Sequence, residues 1–353
     1  MRESCDYHFV LELTRQDRTV IGKVPVTTDF EPAREWALFT AQRRGEINLT
    51  ETGMDTRIEP LWHPKTGRPY LSGFRVKVGS NGVGFSDFPL SYWSAAAQES
   101  SYTLAEQGVL KQGEIFYFSV MAYPAANEVA EQPTLEAETV IRPICADETS
   151  LDDTLRSSLP FGPAGDGDMP VFIPSHILDE IEDLRREAGA VETGGVLLGR
   201  MLRDSAIPEL FLQVTAQVPA RFTRSQLTRL TFTAETWSDA RAALELRRRN
   251  ETLIGYWHSH PTRDWANGSK SETESASAGD FFSADDCALM RAVFWRPFSV
   301  GLVISDKQIA RDCWTSSFAL YGWRSGVIEA RPFYLSGVRR TVGPVAHPAS
   351  VKD

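Results

Sequence analysis

The stretch Leu253-Ile254-Gly255-Tyr256-Trp257-His258-Ser259-His260-Pro261 narrows what this chain can fold into more than any other. Its apolar run reads as a strand, and side chains alternate along a strand, so His258 and His260 share one face. Two imidazoles then lie side by side. A carboxylate arriving from another element would complete three protein ligands and leave a fourth position for water, the pattern of a catalytic zinc site and not of a structural one. The same dipeptide spacing also fits a hydrogen-bonded surface pair that holds no metal.

Two further stretches keep it company. Upstream lies Ala190-Val191-Glu192-Thr193-Gly194-Gly195-Val196-Leu197-Leu198-Gly199, and downstream Phe281-Phe282-Ser283-Ala284-Asp285-Asp286-Cys287-Ala288-Leu289-Met290 opens a helical segment. Together they resemble the JAB/MPN (JAMM) zinc metalloprotease family, in its prokaryotic deubiquitinase-like branch, whose motif is a Glu on an early strand, then His-x-His-Pro, then Ser-x-x-Asp. The resemblance covers about residues 171–335. It implies an α/β fold, a mixed sheet flanked by helices, with Zn2+ held by His258, His260 and Asp286. It also implies that Glu192 is the general base beside the attacking water and not a ligand, and that Ser283 donates to the oxyanion of the tetrahedral intermediate. By residue type alone, Ser283 is equally a helix N-cap, and Glu192 equally a solvent-facing carboxylate beside a glycine pair. Family members cut after the C-terminus of ubiquitin or ubiquitin-like proteins, so the resemblance implies deconjugation or precursor maturation. The expected partners are a ubiquitin-like protein or its conjugates, together with other members of such a conjugation system.

The chain departs from the family pattern in one respect. The gap between His260 and Ser283 is 22 residues, far longer than the family's usual one, and a second Ser-x-x-Asp, Ser277-Ala278-Gly279-Asp280, falls inside it. Ser283 and Asp286 are preferred because Phe281-Phe282 and the apolar helix after Asp286 match the family's setting. Ser277 sits in a Ser/Ala/Gly-rich stretch poorly suited to holding a ligand rigidly. The excess, roughly 265–279, reads as a flexible loop beside the site. Three other readings stay open: a metal-free MPN scaffold that binds partners only, a cupin using Asp264 with His347 as its later histidine, and a His/His/Asp iron oxygenase.

At 353 residues the chain predicts two domains, and 42% apolar residues with nine tryptophans suffice for packed cores. Residues 1–145 read as a β-rich or α+β accessory module of no recognised family. Strands are expected over 5–13, 19–25, 74–78 and 115–121, with a helix over 33–44. His8 and His63 are isolated there and read as structural or exposed. Residues 146–170, rich in Asp, Ser, Pro and Gly, read as a flexible linker. The metalloprotease-like domain follows over 171–335, with Ser175 expected to cap a helix to about Glu187 and strands expected over 196–199, 210–214, 229–233, 299–305 and 317–323. Residues 336–353 read as a tail.

A net charge of −10 argues against a general nucleic-acid binder, since affinity for a polyphosphate comes mainly from Lys and Arg. Arg247-Arg248-Arg249 reads as the solvated end of an amphipathic helix. No run of about 18 uncharged apolar residues and no signal-peptide core occurs, so the expectation is a soluble cytoplasmic protein without a membrane partner. Four scattered cysteines without a Cys-x-x-Cys pair read as reduced thiols, Cys287 packing inward beside Asp286.

Overall fold

A computed structural model describes residues 7–50, 54–79, 84–111, 113–124, 144–162, 167–221, 232–263, 281–310 and 313–337. The first region runs β1 (Tyr7–Arg15), β2 (Val20–Val26), α1 (Glu31–Arg43), β3 (Thr56–Trp62), β4 (Leu71–Val78), β5 (Gly84–Pro89), α2 (Ser94–Glu106) and β6 (Phe116–Pro124). Two three-stranded sheets, β2-β1-β6 and β3-β4-β5, meet through a bridge between Tyr70 and Met121. Alternation explains the strands: Phe9, Leu11 and Leu13 of β1 and Phe74, Val76 and Val78 of β4 point inward with Trp93 to form a core of their own. This is the β-rich region the sequence predicts.

The rest of the chain builds one large mixed sheet. Its elements are β7 (Ala146–Thr149), α3 (Leu151–Arg156), β8 (Ser158–Phe161), β9 (Val171–Pro174), α4 (Ser175–Ala188), β10 (Gly194–Asp204), β11 (Leu210–Pro219), α5 (Ala234–Arg247), β12 (Thr252–His260), α6 (Ala284–Val293), β13 (Val300–Ala310), β14 (Cys313–Arg324), β15 (Val327–Arg331) and β16 (Phe333–Ser336). The strand order is β15-β14-β13-β12-β10-β11-β9-β16-β8, with β7 pairing beside β12 on the same edge of β10. β12 and β13 are parallel, so the chain between them must cross over the sheet, and α6 lies in that crossover.

Burial on both faces makes β10 and β12 central. Along β10, Leu197 points into the main core while Val196 and Leu198 point into a second cluster under α5. Along β12, Trp257 joins the main core and Tyr256 a cluster with Met290, Phe294 and Trp323. α4 covers the main core with Ile177, Leu178 and Ile181, one helical face at i, i+1 and i+4. Each such side chain contributes about 1.5–3 kcal/mol by burial. The helix ends at Gly189, whose φ of +65 is open to glycine at no steric cost.

Several expectations are corrected. Residues 146–170 are not a linker through their length: β7 pairs with Met201–Asp204, α3 buries Leu151, and Phe161 of β8 stacks on Phe333 at 4.7 Å. Asp204 clamps this segment down, its Oδ2 accepting Leu151 N at 2.6 Å while its Oδ1 accepts Ala206 N and Ile207 N. A polar composition hid four apolar anchors whose partners lie far along the chain. Pro174, not Ser175, occupies the N-cap of α4. β14 returns antiparallel to β13 and lies between it and β15. Most of the strand expected over 229–233, the excess loop over 265–279, and residues 338–353 of the tail lie outside the described residues.

The N-terminal region is docked and not tethered. Phe39 of α1 enters the main core, its ring 6.1 Å from that of Phe298. Arg43 grips Glu209 through two nitrogens at 2.7 and 3.0 Å, and Ile144 N donates to Leu49 O at 3.0 Å. Among the described residues no helix is long and apolar enough to cross a membrane.

Candidate metal centre

Strand register assembles the site. Gly194 faces His258 across the antiparallel β10–β12 pair. Just beyond Gly194 the ladder continues, Ser259 N donating to Thr193 O at 2.8 Å and Thr193 N donating to Ser259 Oγ at 2.9 Å. Extending that register by one residue sets Glu192 opposite His260, and alternation turns it to the face shared by both histidines. The glycine opposite His258 leaves that face clear of a side chain.

Both histidines are 2% exposed. Their Nε2 atoms lie 3.0 Å apart, and Asp286 Oδ2 lies 3.4 Å from His258 Nε2. One ligand atom from each of His258, His260 and Asp286 falls within 4.8 Å of the others. Two buried imidazole nitrogens and a half-buried anionic oxygen converging on one point fit a divalent cation, because lone pairs aimed at one another repel unless a positive charge or a proton lies between them. His258 Nδ1 is buried and has no hydrogen-bond partner among the described residues.

Asp286 is carried by the first turn of α6. Ser283 is the N-cap: its Oγ accepts Asp286 N at 3.1 Å, and Asp286 Oδ2 in return accepts Ser283 N at 2.8 Å. This is a capping box closed by Asp in place of Glu. Ser283 Oγ also donates to Asp286 Oδ2 at 2.7 Å, so the hydroxyl orients that carboxylate as well as capping the helix. From below, the buried Tyr256 hydroxyl donates to Asp286 O at 3.2 Å. Tyr256 escaped the sequence reading, although its place two residues before His258 sets it on the same face. Gly301 was missed too: a Cβ there would lie 2.8 Å from the Phe282 ring, which stacks on Tyr321 at 4.6 Å. Phe281 covers His260, ring centroids 4.5 Å apart. The competing Ser277 and Asp280, and Asp264 and His347 of the cupin alternative, lie outside the described residues. Cys287 is half-buried, and burial pushes its thiol up.

The two carboxylates of the site diverge. Burial pushes Glu192 up to about 7; the His258 charge opposes this and the Asp286 charge adds to it. Burial alone would raise Asp286 as well, but hydrogen bonding and charge from His258, with the Ser283 donors, outweigh it and hold the carboxyl at about 2. One group stays an anion fit to ligate, and the other can carry a proton near neutral pH, which is the separation acid–base chemistry uses.

A pH dependence follows for the metal-free protein. A carboxyl whose folded pKa exceeds its unfolded value adds stability that is full below the unfolded pKa, about 4.3, and is lost as pH rises toward about 7. Glu192→Gln should therefore stabilise the metal-free chain at pH 8 by on the order of 2 kcal/mol and leave it unchanged near pH 4. Urea unfolding at the two pH values checks this; equal shifts at both would show that Glu192 does not titrate in that window.

Residues 174–264 match the family described as prokaryotic homologs of the JAB domain, a span that contains Glu192, His258 and His260. Among solved structures, the chain is similar to the solution structure of protein DSY2949 from Desulfitobacterium hafniense, with 18% identity over 46% of this chain and 89% of that one and a TM-score of 0.29. No curated protein matches.

Proposed function

From the premise that residues 174–264 are a prokaryotic JAB domain, we propose that this protein is a cytoplasmic zinc-dependent peptidase or isopeptidase that cuts after the C-terminus of a ubiquitin-like protein. The coarser part, a metal-ion site suited to a metallohydrolase, follows from the convergence of His258, His260 and Asp286. One observation carries the step to hydrolysis. A buried carboxylate, Glu192, shares the ligands' face with its pKa near neutrality yet is not one of the three converging groups.

Held by His258, His260 and Asp286, a zinc ion would supply Lewis acidity toward water and toward a scissile carbonyl. Glu192 takes the proton from the attacking water and passes it to the leaving amine, a role its pKa of about 7 suits at neutral pH. Asp286, held by Ser283 and Tyr256, keeps its charge through the cycle. Ser283 Oγ donates to Asp286 Oδ2 in this structure, so donation to a substrate oxyanion requires its hydrogen to rotate away from that oxygen. Both histidines are buried and the Phe281 ring lies over His260, which places the reacting groups against apolar surface. The docked N-terminal region, lacking any such cluster among its described residues, would recruit the partner.

Metal content of the purified full chain by mass spectrometry, together with cleavage of ubiquitin-like fusion proteins, tests this. One zinc per chain with cleavage at the fusion junction is expected. Iron would favour the oxygenase reading and no metal the binding scaffold; zinc without cleavage of any fusion would overturn the substrate assignment.

A further inference from the structure

Arg185 lies on α4, away from the converging ligands, yet its guanidinium grips both sides of the site. Its Nη2 donates to Asp306 Oδ2 at 2.6 Å and its Nη1 to Gly189 O at 2.8 Å. Gly189 begins the short connection Gly189-Ala190-Val191 that delivers Glu192. Asp306 follows Ser305, the parallel-ladder partner of His260. It also holds the turn that leaves His260: Asp306 Oδ2 accepts Arg263 N at 3.2 Å, Asp306 O accepts Thr262 Oγ1 at 2.8 Å, and Asp306 N donates to Thr262 Oγ1 at 3.2 Å.

We propose that Arg185 is a positioning residue that sets Glu192 against the two histidines, one arm of its fork holding the Glu192 connection and the other the turn after His260. The inference rests on the peptidase reading for its catalytic consequence and on geometry alone for the coupling. The residue type follows from the task. Two acceptors on separate segments need a planar donor with diverging N–H groups, which guanidinium has and an ammonium lacks. The pair is also nearly dry, the Arg185 and Asp306 side chains being 9% and 17% exposed, so the grip is little screened. The β10–β12 ladder alone leaves the Glu192 connection with one anchor, at Thr193. Val191 N donates to Ala188 O at 3.5 Å, and Arg185 adds a side-chain hold at Gly189, four residues before Thr193.

Arg185→Lys separates positioning from charge compensation. The ammonium still neutralises Asp306 and lets the chain fold, but it does not span to the Gly189 carbonyl. The zinc-loaded full chain should lose about 10- to 100-fold in kcat, with KM and zinc content unchanged, because a misplacement of about 1 Å costs that order of rate. In a Glu192→Gln background the same substitution should cost nothing further, since the residue it positions is already disabled. Amide exchange in the metal-free chain gives a readout independent of activity: protection should fall across 190–193 and at Arg263 and stay unchanged in the β13–β14 ladder. Wild-type kcat in Arg185→Lys, a further loss in the Glu192→Gln background, or exchange that rises evenly over the domain would overturn the proposal. If wild type hydrolyses nothing, the peptidase reading fails, and the exchange pattern alone decides whether Arg185 couples the two segments.

Discussion

Glu192→Gln protein is expected to hold one zinc per chain and to hydrolyse about 10^2- to 10^4-fold more slowly than wild type. The argument is geometric before it is chemical. The β10–β12 register, extended past Gly194 and Thr193, sets Glu192 opposite His260, but the converging donors are His258, His260 and Asp286. Glutamine fills the same buried space and cannot accept the proton. Metal analysis and single-turnover rates on a fusion substrate check both halves of the statement. Loss of zinc along with activity would make Glu192 a ligand and undo the division of labour. In wild type, kcat/KM should rise with pH as Glu192 loses its proton, and zinc nearby should bring that limb below the value of about 7 that burial, with the His258 and Asp286 charges, produces in the metal-free site. The variant's residual rate should lack this limb.

The second large effect is expected at Asp286. Asp286→Ala removes the anionic member of the converging set and leaves two imidazole nitrogens 3.0 Å apart, with the Glu192 carboxyl outside that set. Zinc affinity should fall by more than the ~10- to 100-fold typical of losing an outer-shell partner. The substitution also opens the capping box, since Ser283 N and Oγ both donate to Asp286 Oδ2, and the frayed first turn should cost about 1 kcal/mol on its own. Asp286→Asn separates the two effects by keeping an acceptor for Ser283 without the charge. Asp280→Ala should keep its zinc; zinc lost there and retained in Asp286→Ala would reverse the choice between the two Ser-x-x-Asp matches. Competition against a chromophoric chelator measures all three.

What could be read in the chain beforehand was whatever depends on near neighbours. The shared face of His258 and His260 follows from strand periodicity, and the cap and carboxylate of α6 follow from Ser-x-x-Asp before an apolar turn. Elements defined by distant partners stayed hidden. Leu151, Leu155, Leu159 and Phe161 look like stray apolar residues in a polar stretch until β10 and β16 are in place beside them. Phe39 is one aromatic on an amphipathic helix, and nothing local says that it leaves its own module for another core. Arg185 and Asp306, 121 residues apart, are ordinary charged residues until the sheet brings them together. Tyr256 reads as strand filling until α6 is laid over it.

The place of β16 in the sheet bears on how the protein can be made. It slots between β9 and β8, parallel to one and antiparallel to the other, although some 160 residues separate it from them in the chain. During synthesis the segments that become β8 and β9 leave the ribosome early and then wait, each with an open edge, for nearly the whole domain to be translated. Open edges are templates for pairing with other chains, and a polypeptide cut short before Phe333 would keep both. Nascent chains stalled just ahead of that strand should be the ones that need a chaperone most.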